Sequence, residues 1–160
     1  MTQTSHYIGF ISTRFAGTDG VSLETQKWAT VLERLGHKCF YFAGECDRDP
    51  DISQVVPEAF YRHPEIDEIN RQAYSGSWTV TKEARAAHPE IATLHKDFFS
   101  FYVRPPQMTR SVNELKEYFK EQLYEFAHRF ALELLVLENV VTIPLNLPLG
   151  LALTEFIAET

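Results

Sequence analysis

The chain is poor in cysteine, has no excess of basic charge and carries no long apolar run. Of 160 residues only Cys39 and Cys46 are cysteines, and they do not form a C-x-x-C pair. That excludes a disulfide framework and a zinc site of ordinary spacing. Cys39 falls in an apolar run and is expected to be a packing residue, with Cys46 just past it. The six histidines (His6, His37, His63, His88, His95, His128) include no H-x-x-x-H pair. His88 and His95 are two helical turns apart, too far for a shared ligand, so no metal site is expected. No run approaches the ~20 apolar residues that span a bilayer. The N-terminal MTQTSHYIGF has no basic region leading into an apolar stretch, so no signal peptide is apparent. Fifteen basic residues against 22 acidic ones give a net charge of −7, which disfavours a nucleic-acid backbone as partner. A soluble, reducing, cytoplasmic setting is the expectation.

What is present is enough apolar and aromatic material for a proper core. Hydrophobic residues make up 44% and aromatics 13%, including twelve Phe and seven Tyr, which excludes a disordered chain. The length fits one domain. The acidic excess is local, with eight carboxylates from Glu45 to Glu68 against Arg48 and Arg62. Its simplest reading is a solvated face, and its alternative is the rim of a polar-substrate site.

The N-terminus reads as a strand, a loop and a helix in close succession. Tyr7 to Ser12 is apolar enough for a buried strand, and Thr13 to Gly20 (TRFAGTDG) is rich in turn formers. Val21 to Leu35 then places Leu23, Trp28, Val31, Leu32 and Leu35 at helical spacing, which predicts a helix. Gly36-His37 closes the helix before a second apolar run, Lys38 to Ala43. Such a unit implies a parallel strand pair with a crossover helix, and in such sheets ligands bind beyond the carboxyl ends of the strands. Arg14 to Glu24 is therefore the first place to look for function.

Gly17 and Gly20 are expected to let this loop turn with positive φ. Asp19 or Thr18 is placed to cap the helix, whose first-turn N–H groups favour an anion such as phosphate. Arg14 would add a charge-assisted hydrogen bond. An ordinary tight crossover with a capped helix is the competing reading. The loop is neither a G-x-G-x-x-G fingerprint nor a P-loop, since no Gly-Lys-Ser/Thr follows.

Further along, Gly44 to Pro57 is polar and acidic, with a short strand expected at Ile52 to Val56. A helix is predicted from His63 to Tyr74, with Pro64 in its first turn, ended by Ser75-Gly76-Ser77. A second helical stretch is predicted from Thr81 to about Val103, kinked or restarted at Pro89 and stopped at Arg104-Pro105-Pro106. The clearest helix runs from Ser111 to Phe130. There Val112, Leu115, Phe119, Leu123, Phe126 and Phe130 form an apolar stripe, and Ser111 with Glu114 predicts a capping box at its start. Leu132 to Leu137 (LELLVL) reads as a third strand suited to the centre of a parallel sheet. Val140 to Leu147 is a loop, and a final helix begins near Pro148. The pattern is doubly wound α/β. Three strands are few for such a sheet, and the last helix should hand over to another parallel strand, so the chain reads as the first part of a larger protein.

Two stretches carry a family resemblance: Ile8 to Glu24 with Trp28-Ala29 and Leu32 to Lys38 (LERLGHK), and Leu134 to Asn139 (LLVLEN) with Pro144 to Gly150 (PLNLPLG). Together they resemble the N-terminal domain of a GT-B glycosyltransferase of the retaining family 4 type. They cover about half of the chain, and Asp47 to Arg129 holds no motif of that family. The resemblance implies a Rossmann-like three-layer α/β domain over residues 1–160, with a mostly parallel sheet and a helical excursion in its middle. This would be the acceptor-side half of a GT-B architecture, whose C-terminal nucleotide-sugar-binding domain is absent from this chain. It implies a nucleotide-sugar donor and an acceptor as partners, with no cofactor and no metal. Gly17, Thr18, Asp19, Gly20 and Val21 match the loop that approaches the donor diphosphate. Arg14, Glu24, Glu138, Asn139 and Asn146 are the candidates for hydrogen bonds to sugar hydroxyls in the cleft, with helix capping or turn bonding as the competing role for Glu24 and Asn146. No catalytic residue is assigned, and the chain by itself is expected to be inactive.

Two other classes compete with that reading. One is a stand-alone Rossmann-like binding module that pairs with a separate catalytic subunit. The other is a flavodoxin-like or receiver-like signalling domain, disfavoured because Ser12-Thr13-Arg14 stands where a receiver needs acidic residues. The aromatic cluster Phe98-Phe99-Ser100-Phe101-Tyr102 reads as helix packing, with sugar stacking as the alternative. An exposed cleft face leaves self-association open.

Overall fold

The computed structural model describes residues 4–78, 106–143 and 145–160. The expected helix from Thr81 to Val103, the aromatic cluster at Phe98 to Tyr102, and His88 and His95 lie outside the described residues.

Four strands form one parallel sheet: β1 (Tyr7–Ile11), β3 (Lys38–Ala43), β5 (Ser53–Val55) and β6 (Leu134–Leu137), in the order β5-β3-β1-β6. The register sets Ile8 beside Cys39 and Leu134, and Tyr41 beside Ser53. Two short strands, β2 (Arg14–Phe15) and β4 (Glu45–Cys46), pair in parallel just past the ends of β1 and β3. The loop expected from Thr13 to Gly20 therefore begins with paired backbone. The fold is Rossmann-like α/β, as the sequence pattern implied.

Side chains alternate across a strand, and the two faces of this sheet carry separate cores. Ile8, Phe10, Cys39 and Tyr41 point to one face, where helix α1 (Gly20–Arg34) covers them through Ala29. Ile11, Phe40 and Phe42 point to the other. There they meet α2 (Pro64–Trp78), α3 (Pro106–Arg129) and α4 (Leu147–Glu159). Gly9 lies on this second face, where an added Cβ would come within 2.6 Å of Leu132 Cδ1 and 2.9 Å of Phe126 Cε1. The missing side chain is what lets α3 seat Phe126 against the sheet.

The helical stripe of α3 is buried as expected, from Val112 through Phe126, and Met108 extends it toward the N-terminus. Helices α3 and α4 are clamped at their exposed edge by Lys116 to Glu155 at 2.6 Å and Lys120 to Glu159 at 3.1 Å. Such solvent-facing pairs contribute little beside the Phe119, Leu123 and Phe156 burial beneath them.

The sequence left the facing of α1 open, and three expectations are corrected. Helix α1 buries its small residues, Ser22, Thr25 and Ala29, while Leu23, Trp28, Val31 and Leu35 are 46–55% exposed. The close approach of α1 to the sheet has room only for small side chains, which turns the apolar stripe outward. Helix α3 starts at Pro106, so Ser111 and Glu114 lie inside it rather than forming a capping box. Helix α2 continues through Ser75-Gly76-Ser77 to Trp78. Strand β6 pairs only with β1 and Leu134 is half exposed, so among the described residues it lies at the edge of the sheet rather than at its centre.

Candidate functional site

The chain leaves β1 through α1 toward β3 on one side, and β6 enters on the other side of β1. The carboxyl ends of β1 and β6 therefore flank a topological switch point, where doubly wound sheets open a crevice. A cleft of about 300 Å³ opens there, lined by Ser12, Thr13, Arg14, Asp19, Val21, Tyr61, Glu138, Asn139 and Leu145.

Backbone hydrogen bonds hold its walls. Ser12 N–H donates to Phe42 O at 3.1 Å, Glu138 N–H donates to Ile11 O at 2.9 Å, and the Ser12 hydroxyl donates to Glu138 O at 3.1 Å. Asn139, just past β6, adopts φ 61°. Asn tolerates this left-handed turn better than most residues, and it redirects the chain around the rim.

The glycine loop is arranged differently from its expectation. Gly17 has φ 71°, and its N–H donates to Asp47 Oδ2 at 2.8 Å. Gly20 has no positive φ and simply begins α1. Asp19 is the N-cap, accepting from Ser22 N–H at 3.0 Å and from the Ser22 hydroxyl at 2.8 Å. Burial would raise this carboxyl, but the Ser22 backbone and hydroxyl hydrogen bonds, followed by Arg14, bring it below its ordinary value. Arg14 is committed too: its Nε donates to Glu45 at 2.6 Å and its Nη1 to Asp19 at 3.0 Å. Glu45 above all keeps its guanidinium protonated. Both the helix N-terminus and the Arg14 guanidinium are thus occupied by the chain's own carboxylates.

Of the remaining candidates, Glu138 and Asn139 line the cleft with Arg14, Asp19 and Val21. Burial, reinforced by the negative charge of Glu24, pushes the Glu138 carboxyl above its ordinary value. Glu24 itself lies outside the lining and pairs with Lys27 at 3.1 Å. Gly17, Thr18 and Gly20 are exposed beyond the lining.

Asn146 is 1% exposed. Its Oδ1 caps α4 by accepting from Leu149 N–H at 3.1 Å, and its Nδ2 donates to the carbonyls of Glu58 and Ala59 at 3.0 and 3.2 Å. Asn146 therefore does not face the cleft. It staples α4 to the 3₁₀ turn Pro57–Ala59, which is the capping role weighed against sugar binding.

Ser12, Thr13, Tyr61 and Leu145 complete the lining without having been singled out in the sequence. Ser12 and Thr13 directly follow the first strand, so the switch-point rule alone would have found them. Tyr61 carries no such signal. It arrives because Gly44 lets the Ala59–Phe60 backbone pass against the end of β3, where an added Cβ would collide with the main chain of both residues.

Among curated proteins, the chain is similar to the mannosylglucosylglycerate synthase of Thermotoga maritima, at 26% identity over 148 residues. The match covers 92% of this chain and 29% of that enzyme. The chain is related to a glycosyltransferase. It spans less than a third of that relative's length. No protein-family model matches it, and no solved structure does. Among the described residues no helix is long and apolar enough to cross a membrane.

Proposed function

We propose that this chain is the acceptor-side half of a GT-B glycosyltransferase that moves a sugar from a nucleotide-sugar donor to a hydroxylated acceptor with retention. The observation that carries this reading is the cleft at the β1–β6 switch point, bordered by hydroxyl and carboxylate side chains, in a chain related to a glycosyltransferase. Arg14, Glu138 and Asn139 are the groups that would meet acceptor hydroxyls. The loop Gly17, Thr18, Asp19, Gly20 and Val21 would face the donor. Because Asp19 caps α1, a donor diphosphate there must displace that carboxylate or be neutralised by basic groups of a second domain.

The reaction then requires two halves: this one to orient the acceptor and another to grip the donor and close over it. The chain alone is expected to be inactive. UDP- and GDP-sugars are the donors to screen, and the relative's name, mannosylglucosylglycerate synthase, suggests glucosylglycerate as the first acceptor to try. The full-length protein that carries this chain is incubated with each pair, and the product is read by mass and by the anomeric configuration of the new bond. Transfer with retention, and silence from the isolated chain, is the expected result. No transfer with any donor would remove the enzyme reading and leave a binding module.

A further inference from the structure

Gly17 permits the left-handed turn of its loop without selecting it. Its φ is 71°, yet glycine enters positive and negative φ about equally. The selection comes from Asp47, 30 positions further along the chain, whose Oδ2 accepts the Gly17 N–H at 2.8 Å.

That bond is one of a series. Strand β2 sets Arg14 beside Glu45 and Phe15 beside Cys46 in β4. Gly44 N–H donates to Thr13 O at 3.1 Å before this pair, and Asp47 N–H donates to Phe15 O at 3.0 Å after it. Arg14 Nε donates to Glu45 at 2.6 Å. Past Gly17 the contact passes to Arg48, whose Nη2 donates to the Ser22 carbonyl, in the first turn of α1, at 3.1 Å. Residues 44–48 thus run as a rail along residues 13–22, bonded on both sides of the glycine loop.

The rail is itself anchored. The Arg48 guanidinium lies over the Tyr41 ring, 5.8 Å from its centre, and Tyr41 is 3% exposed in the core beneath α1. Arg48 Nη1 stands 3.4 Å from Asp47 Oδ1, so the carboxylate holds Gly17 with one oxygen and faces Arg48 with the other. The acidic stretch from Glu45 reads in sequence as a solvated face. Its first two carboxylates are instead bonded to the loop.

A backbone loop held in place before binding spares the ligand the cost of ordering it, which is roughly tenfold in affinity for each residue. We propose that Asp47 and Arg48 are positioning residues that fix residues 17–21 in their binding geometry before a ligand arrives. In naming that ligand the sugar donor, the proposal rests on the glycosyltransferase reading. The clasp on the loop does not.

The test uses the full-length protein that carries this chain, with Asp47→Ala, Asp47→Asn and Arg48→Met. Amide hydrogen exchange of residues 13–22, followed by mass spectrometry, reads the clasp directly. Asp47→Ala should exchange at least about tenfold faster there, the scale of one hydrogen bond to a charged group, and Arg48→Met should follow it. Asp47→Asn keeps an acceptor oxygen and should stay near the parent. In the transfer assay, Asp47→Ala should raise the donor KM about tenfold, the scale of ordering one residue on binding, and leave the acceptor KM unchanged. A merely structural role would not separate the two substrates. Thermal melts check that each variant is folded under assay conditions, and Arg48→Met carries the test if Asp47→Ala is not. Parental exchange in the alanine and methionine variants, donor and acceptor KM rising together, or an asparagine variant as loose as the alanine one would overturn the proposal. Parental exchange with transfer intact removes the clasp and leaves the enzyme reading. Faster exchange with no transfer by the parent removes the enzyme reading and leaves the clasp.

Discussion

The Arg14 guanidinium donates to Asp19 Oδ2 at 3.0 Å while Asp19 Oδ1 accepts from Ser22 N–H at 3.0 Å. One carboxylate thus serves the cation and the helix terminus together, which is why neither is free for an incoming anion. Asp19→Ala removes both functions. It should cost about 1 kcal/mol as a lost N-cap. It should also create a weak anion site, so that pyrophosphate raises the melting temperature of the variant more than that of the parent. Thermal melts with and without pyrophosphate measure this, and equal shifts would show that Asp19 is not what occupies the site.

Asn146 tests the structural role against the sugar-binding one. Asn146→Ala loses the cap on Leu149 N–H and leaves the Glu58 and Ala59 carbonyls without their donor. The combined cost should be about 2–3 kcal/mol, seen as a lower urea midpoint with an unchanged slope. A variant of parental stability would mean that water replaces these bonds readily.

Gly44 has no space for any side chain, because the Phe60 and Ala59 backbone lies against it. Gly44→Ala should cost about 3 kcal/mol, since main chain rather than a flexible tip must move. It should also reshape the cleft, because displacement of Phe60 carries Tyr61 with it. Denaturation reads the cost, and near-ultraviolet circular dichroism of the aromatic residues reads the displacement.

The outward stripe of α1 predicts a contrast between adjacent residues. Trp28 is 55% exposed and Ala29 is fully buried. Trp28→Gln should change stability by less than about 0.5 kcal/mol, whereas Ala29→Leu should cost about 1–3 kcal/mol by overpacking against the sheet. The opposite ranking would mean that the apolar stripe, not Ala29, faces the sheet.

Glu138 gives a pH dependence of known sign. Its carboxyl is raised above 4.5 by burial and by Glu24. The folded chain therefore holds this proton more tightly than the unfolded chain, and stability is lost as pH rises from 4.5 through the folded value. Glu138→Gln should raise the melting temperature at neutral pH, with the gain vanishing below pH 4.5. A gain that grows on acidification would contradict the desolvation argument.

The sequence by itself determined the elements that rest on local periodicity and turn chemistry. The β1–α1–β3 unit, the long apolar stripe of α3, the Asp19 cap and the strand near Ile52 to Val56 were all legible. The crevice was legible only in part: ligands bind beyond the carboxyl ends of parallel strands, which put Arg14 and Asp19 past β1 and Glu138 past β6, but that β6 lies beside β1 was not readable from the sequence. The tertiary structure decided what depends on distance between elements. Leu23, Trp28, Val31 and Leu35 satisfy helical spacing equally well facing in or out, and only the closeness of α1 to the sheet selects Ala29 for the core. A Pro at a helix start and a capping pair five residues later are both valid signals, and packing of Met108 favoured the earlier one. Arg14 and Asn146 read as ligand-binding groups from their types and places. Their partners, Glu45 and the Glu58 carbonyl, are 31 and 88 residues away in the chain. Side-chain availability is settled by such long-range hydrogen bonds, which no local pattern encodes.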